Sequence, residues 1–305
     1  MNMKHLFILA AIVLCLSGCK YNDDYLAPRL DQTIAYFASA TSYNRTLIVG
    51  EGLYFKIGAA MAGVKENPKD ESVYMYISRE PLGGGKELMP KDYYNSSELG
   101  GVIEATIPKG EFLGYFTVKM DSLKFLNDPE SLSGRYALPV KLVDTSLESI
   151  NTELDSILVT VKYMSGVDGY YLYESTVKKE VGGSITDTKT EKYPNESDNS
   201  AWRLETKAPF TVQVSPAVNS SANGVKFNLT VKGSAVTYES IAGQPVVEAD
   251  GSNTYDSKTR DFELNFKYKD NQSEAVYHVS TKLIFRNRMV DNFNQTREYL
   301  SYFNK

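Results

Sequence analysis

Few side chains in this sequence could carry acid–base, nucleophilic or metal chemistry. It contains two cysteines, Cys15 and Cys19, and two histidines, His5 and His278. Three of these four fall within a leader-like start. Lys4 and His5 are cationic, Leu6–Leu16 is an apolar run, and Ser17-Gly18 supply the small residues of a cleavage site. The apolar run is too short to span a bilayer, which takes about 20 residues, so residues 1–18 read as a secretory signal. Cleavage after Gly18 removes Cys15 and His5. If Cys19 is also consumed, no thiol remains for a disulfide, a nucleophile or a thiolate zinc site. A Ser-His-Asp triad would then have to use His278. That residue lies in the alternating stretch Ala275–Arg286, where a structural role is expected.

The tetrapeptide Leu16-Ser17-Gly18-Cys19 resembles the bacterial lipobox, in which the cysteine is diacylated and its freed amine then acylated. Several acyl chains on one residue anchor stably where a single chain does not. Cys19 is therefore the expected lipidation site, with residues 19–31 as the lipidated cysteine and polar tether. Asp23-Asp24 in that tether resembles the acidic signal that exports Bacteroidetes lipoproteins to the cell surface. The expected location is the outer membrane, lipid-anchored and facing the exterior. A net charge of −5 argues against nucleic acid as a partner.

No catalytic or cofactor constellation emerges. Glycoside cleavage needs two carboxylates roughly 5–10 Å apart across the bond. Among 38 acidic residues some pair always exists, and the clusters here sit in linkers and turns. Asp250-Gly251-Ser252-Asn253-Thr254-Tyr255-Asp256 is rich in oxygen but lacks the spacing of a calcium loop. Gly83-Gly84-Gly85 lacks the Lys-Ser/Thr of a phosphate loop. No enzyme activity, cofactor or metal is expected. The aromatic residues are more suggestive. Trp202 is the single tryptophan beside 22 tyrosines, and an indole or phenol face can stack on a sugar ring. Trp202 follows a polar stretch and is expected near a strand end or barrel mouth. Tyr93 and Tyr94 are adjacent in the long loop from Pro81 to Ser97. In an extended segment they cannot both face inward, so one should be exposed. These three form the candidate ligand-binding set.

The elements that would position them are strands. Between residues 32 and 164 short alternating runs are separated by turn residues. They lie near Thr33–Ala38, Leu53–Ala60, Ser72–Ser78, Val102–Ile107, Tyr115–Met120, Arg135–Val143 and Asp155–Tyr163. The third is the clearest, with Val73, Met75 and Ile77 on one face and Tyr74, Tyr76 and Ser78 on the other. Seven such runs predict an immunoglobulin-like β-sandwich. Ser165–Gly169 reads as a hinge. Residues 165–305 then give eight or nine consecutive strands, ending in a hairpin around Lys269–Ser273. That pattern predicts an antiparallel up-and-down β-barrel, with a second sandwich as the alternative. The tail from Met289 reads as a short helix or strap packed on it.

The order of motifs resembles a family of Bacteroidetes surface lipoproteins. Its carriers are Thr33–Phe37, Leu88-Met89-Pro90 before Tyr93-Tyr94, Ile107–Glu111 and Tyr136–Leu142. They are followed by Gly169-Tyr170-Tyr171 and the closing Leu283–Arg288. The resemblance implies an N-terminal immunoglobulin-like domain of unknown function and a C-terminal calycin-like barrel, for which a glycine-aromatic start and a terminal arginine are apt. It also implies an accessory role in outer-membrane polysaccharide uptake, with a glycan or polysaccharide ligand and an outer-membrane glycan transporter complex as partners. It brings no catalytic residues. A structural or assembly component without glycan affinity is the rival reading, and a glycoside hydrolase the third.

The anchor makes a direct prediction. Only the Cys19 thiol can be acylated, so Cys19→Ala should move the chain from the membrane fraction to the soluble one. A variant that still partitions with the envelope would contradict the lipidation reading.

Overall fold

A computed structural model describes residues 32–38, 42–192, 201–218, 220–222 and 224–303. The signal, Cys19 and the tether lie outside the described residues. What is described is almost all strand.

The first ten strands are β1 (Ile34–Tyr36), β2 (Ser42–Ile48), β3 (Tyr54–Ala62), β4 (Glu71–Ile77), β5 (Glu87–Leu88), β6 (Ile103–Ile107), β7 (Leu113–Lys119), β8 (Tyr136–Thr145), β9 (Ser149–Ile150) and β10 (Ser156–Met164). They form two facing sheets. One has the order β7-β3-β1-β9, the other β2-β10-β8-β4-β6 with β5 beside β8. The chain switches sheets at its start. β1 runs antiparallel to β3 and parallel to β9, and β2 then crosses over to run parallel to β10. Period-two alternation puts Phe55, Ile57, Val73, Met75, Val159 and Val161 into the shared core. Each such side chain contributes about 1.5–3 kcal/mol on leaving water. β2 is not among the strands expected from sequence. Its first half, Tyr43-Asn44-Arg45-Thr46, has no apolar alternation, and the parallel partner that holds it is distant in sequence.

The remaining strands are β11 (Gly169–Val181), β12 (Ser184–Lys192), β13 (Trp202–Ala208), β14 (Thr211–Ser215), β15 (Phe227–Lys232), β16 (Ala235–Ser240), β17 (Val247–Ala249), β18 (Thr254–Tyr255), β19 (Phe262–Lys269), β20 (Val276–Val290) and β21 (Phe293–Thr296). β11 pairs with β13, the antiparallel ladder then runs β13-β14-β15-β16-β18-β19-β20 with β17 beside β19, and β20 pairs back along the length of β11. The ring of pairings therefore returns to its start, with its thinnest seam at the lone Ala235–Thr254 pair between β16 and β18. This is the up-and-down barrel expected from the meander. Its interior is packed with Leu204, Phe227, Phe262, Leu264, Phe266 and Leu283, so it is a core and not a ligand cavity. The tail becomes β21 and a short helix, Arg297–Phe303, docked through Leu300.

The expected hinge is replaced by a buried joint. Ser165, Val167, Asp168 and Gly169 are all buried. The Ser165 amide donates to Thr206 Oγ1 at 3.1 Å, and Asp168 accepts from Arg203 at 2.7 Å and from the Thr206 amide at 2.7 Å. A Cβ on Gly166 would lie 2.8 Å from the Val49 carbonyl oxygen, so glycine here serves close backbone approach and not flexibility.

Candidate functional site

Two of the three sequence-derived binding residues, Trp202 and Tyr94, are buried, and Tyr93 is partly exposed. Trp202 has 0% exposure, and its ring centroid is 6.0 Å from that of Tyr173 inside the barrel. Its inward position follows from register: Trp202 pairs with Tyr171 and shares the core-facing set of β13 with Leu204. It cannot be a stacking platform at the barrel mouth. Tyr94 is buried, with its hydroxyl against the Arg79 guanidinium. Tyr93 is partly buried, and its hydroxyl donates to Asp128 at 2.9 Å. Its ring meets Tyr136 edge-on at 5.7 Å. A 3₁₀ turn over Lys91–Tyr93 replaces an extended segment here; Tyr94 turns inward and Tyr93 keeps part of its surface open. Burial pushes the Asp128 carboxyl up, but hydrogen bonds, chiefly from Tyr136, outweigh it and hold the group below its ordinary range. These aromatics hold the loop onto the sandwich.

His278 is likewise accounted for. Its Nδ1 lies 2.7 Å from Asp250 and its Nε2 2.9 Å from Glu180. The hydrogen bond to Asp250 is the main reason its pKa sits above the ordinary 6.5. With both ring nitrogens against carboxylates, neither faces a serine, and the triad geometry is absent. In the oxygen-rich turn, Asn253 Oδ1 accepts from the Tyr238 hydroxyl and the Asn265 amide. Among the described residues no three His, Cys, Asp or Glu are placed to hold a metal.

The principal cavity lies elsewhere. It is a cleft of about 730 Å³ where one end of the barrel meets the sandwich. Loop ends converge on it: Val49–Glu51 after β2, the buried joint, the Pro209-Phe210 turn between β13 and β14, Gly233 after β15, and Ser257–Arg260 before β19. The tail helix adds Arg297 and Leu300. Phe210 is exposed at the rim, and the Tyr255 ring packs on Phe262 at 4.7 Å.

Beside the cleft lies an ionic cluster that crosses between the two halves. Glu51, from the sandwich, accepts from Arg288 Nη1 and Nη2 at 2.9 and 2.7 Å and from Arg260 Nη2 at 2.6 Å. Arg288 has 0% exposure, and its Nε donates to Gln295 at 2.7 Å. Arg260 also reaches the Gly166 carbonyl at 3.2 Å and lies over the Phe285 ring at 5.7 Å. Its backbone sits at φ 64°, a left-handed conformation uncommon for a side chain this large. The amide of Arg260 donates to the Asp256 carbonyl at 2.7 Å, which closes the loop in that conformation. At the cleft wall Arg297 binds both oxygens of Asp261 at 2.7 Å. A second crossing contact joins Thr46 of β2 to Asp291 in the β20–β21 turn, through its amide at 2.8 Å and its hydroxyl at 2.6 Å.

Burial pushes the Glu51 carboxyl up, but hydrogen bonds and charge from Arg288 and Arg260 outweigh that and leave it below its ordinary range. A general acid for glycoside cleavage needs the opposite shift. Of these residues the sequence reading touched only Arg288, through the resemblance. Glu51, Arg260 and Phe210 stand in turn segments, and Tyr255 ends the two-residue β18, with no local mark of their convergence.

No protein-family model and no curated protein matches the chain in sequence. Its fold is similar to that of solved structures. A Bacteroides ovatus protein of unknown function matches with TM-score 0.63 at 17% identity, over 84% of this chain and 95% of that one. A second from the same organism, also of unknown function, reaches TM-score 0.43 at 11% identity, over 86% of this chain and 97% of that one. An auxiliary nutrient binding protein from Bacteroides thetaiotaomicron reaches 0.37 at 13% identity, over 81% and 92% of the two chains. The first of these likenesses shows a shared fold and no more.

The ionic cluster makes a testable prediction. Glu51→Gln leaves the Arg288 charge enclosed without its carboxylate; because the Glu51 side chain is itself 35% exposed and water screens part of the loss, the cost should be about 2 kcal/mol of stability at neutral pH. Because the folded pKa of Glu51 is depressed, its contribution is present above the ordinary value of 4.5 and lost as pH falls through the folded value. Melting temperature against pH should thus drop less steeply below 4.5 in the variant than in the native chain. Identical slopes with unchanged stability would contradict the assignment.

Proposed function

We propose that this chain is a glycan-binding accessory protein of an outer-membrane polysaccharide uptake system, anchored through Cys19 and facing the cell exterior. It captures or presents its ligand in the interdomain cleft and does not cleave it. The observation that carries this reading is the cleft itself. It is concave, large enough for an oligosaccharide, rimmed by the open face of Phe210, and supplied with guanidinium and hydroxyl groups that can orient a sugar. Aromatic faces supply affinity and hydrogen bonds supply orientation.

The same geometry favours binding over hydrolysis. The cleft carboxylates are engaged as acceptors, Glu51 by two arginines and Asp261 by Arg297 and the Phe285 amide. Glu51 is held below its ordinary range, opposite to the shift a proton-donating acid needs.

A glycan array probed with the full chain tests the reading. Binding to a glycan without release of reducing ends is expected. Phe210→Ala should weaken that binding about tenfold, the scale of one aromatic contact of about 1–1.5 kcal/mol. Product release on incubation would make it a hydrolase. No binding across the array would favour a structural component of an outer-membrane complex.

A further inference from the structure

The outer face of the four-stranded sheet, remote in sequence from every cleft loop but Val49–Gly52, presents a second surface. On β3 the core-facing residues are Phe55, Ile57, Ala59 and Met61, which leaves Tyr54, Lys56 and Gly58 outward. On β7 the outward set is Leu113, Tyr115, Thr117 and Lys119. Tyr54 is 57% exposed and Tyr115 48%. Register brings them onto one strip. Tyr115 stands opposite Gly58, Thr117 opposite Lys56 and Lys119 opposite Tyr54. Along the strand the two tyrosine positions are about 13 Å apart. Leu113 continues the apolar line beside Ala60, whose other neighbour is Tyr36 on β1.

Both rings lie on glycine. The Tyr115 ring covers Gly58 so closely that even a methyl group there would collide with it, and a Cβ on Gly52 would come within 2.8 Å of Tyr54 Cε1. With Tyr54 57% and Tyr115 48% exposed, each ring keeps part of its surface toward solvent. Covering a glycine on a sheet is also a packing device in its own right, but that does not account for the charge around the rings. Lys56 Nζ is 5.8 Å from the Tyr115 ring centroid. Lys119 is its diagonal neighbour across the strands, at a backbone separation of about 7–8 Å. Among the described residues neither ammonium pairs with a carboxylate, and β1, β3 and β7 contain no acidic residue. The flanking Asp121 caps the short helix Ser122–Asn127 through the Lys124 amide and keeps its own charge, two residues beyond Lys119. In a chain of net charge −5 the outward positions of β3 and β7 thus carry two cations and no anion.

We propose that this tyrosine–lysine strip is a binding surface for an anionic polysaccharide, a polyuronate in chemical class, independent of whatever the cleft holds. Pyranose rings stack on the exposed tyrosine faces and carboxylates meet the two unpaired ammonium groups. A neutral polymer would use only the rings, and a purely electrostatic partner only the lysines. An extended sheet face suits a polymer, where the cleft suits a chain end or a short oligosaccharide.

The experiment is a titration of the full chain with polygalacturonate, with dextran as the neutral probe, at several salt concentrations. The expected result is polygalacturonate binding that weakens as salt rises, with dextran bound far more weakly. The Lys56→Glu/Lys119→Glu variant should lose about tenfold in affinity while keeping its melting temperature, because both side chains are exposed and unpaired. Tyr115→Ser should weaken binding as well, and Phe210→Ala should not. The proposal is overturned by no binding at low salt, by equal affinity for dextran, or by unchanged affinity in the lysine variant. Loss in Phe210→Ala instead would move the ligand to the cleft. Binding only to vesicles containing phosphatidylglycerol would make the strip a membrane contact, and self-association removed by Tyr115→Ser would make it an interface between copies.

Discussion

A guanidinium with no solvent exposure must have its charge met from within, and Arg288 meets it through a carboxylate contributed by the other half of the molecule. An isolated buried charge costs several kcal/mol, so the Arg288–Glu51 contact is a condition for enclosing that side chain at all. Arg260 adds a second donor to the same carboxylate and a third bond to the Gly166 carbonyl. Sandwich, joint and barrel thus share one hydrogen-bonded node. Asp291 on Thr46 provides a second attachment nearby. The two halves are held in a defined orientation, and the cleft exists because of it.

This constraint also explains the strained backbone at Arg260. In this left-handed conformation its side chain lies over the Phe285 ring and reaches Glu51. Strain of this kind costs about 1–3 kcal/mol and persists only where surrounding contacts over-determine it. The Asp256 loop and the ionic node supply those contacts. The walls of the cleft are therefore fixed by contacts within the chain itself.

Much of the fold is legible in the sequence because alternation is a local signal. Val73, Met75 and Ile77 face the core as their spacing implies, and the long meander from Tyr170 to Arg286 closes into a barrel. What depends on distant partners is not legible. β2 takes its place from a parallel strand more than a hundred residues away. Ser165–Gly169 has the composition of a hinge, yet tertiary contacts bury it. The aromatic residues mislead for a related reason. Trp202, Tyr93 and Tyr94 look like platforms by type and position, but core register claims the first and a turn with polar partners claims the others. The exposed rings, Tyr54, Tyr115 and Phe210, lie in strand and turn positions that their sequence context does not distinguish.

The central claim, that a carboxylate–arginine node joins the two halves, is tested most directly by a double-mutant cycle between Glu51 and Arg288. The cycle measures the stability of the native chain, Glu51→Gln, Arg288→Met and the double variant. The account predicts that the double variant loses much less than the sum of the single losses, with a coupling of about 2 kcal/mol. Additivity within about 0.5 kcal/mol would mean that the two side chains do not depend on each other, and would contradict it.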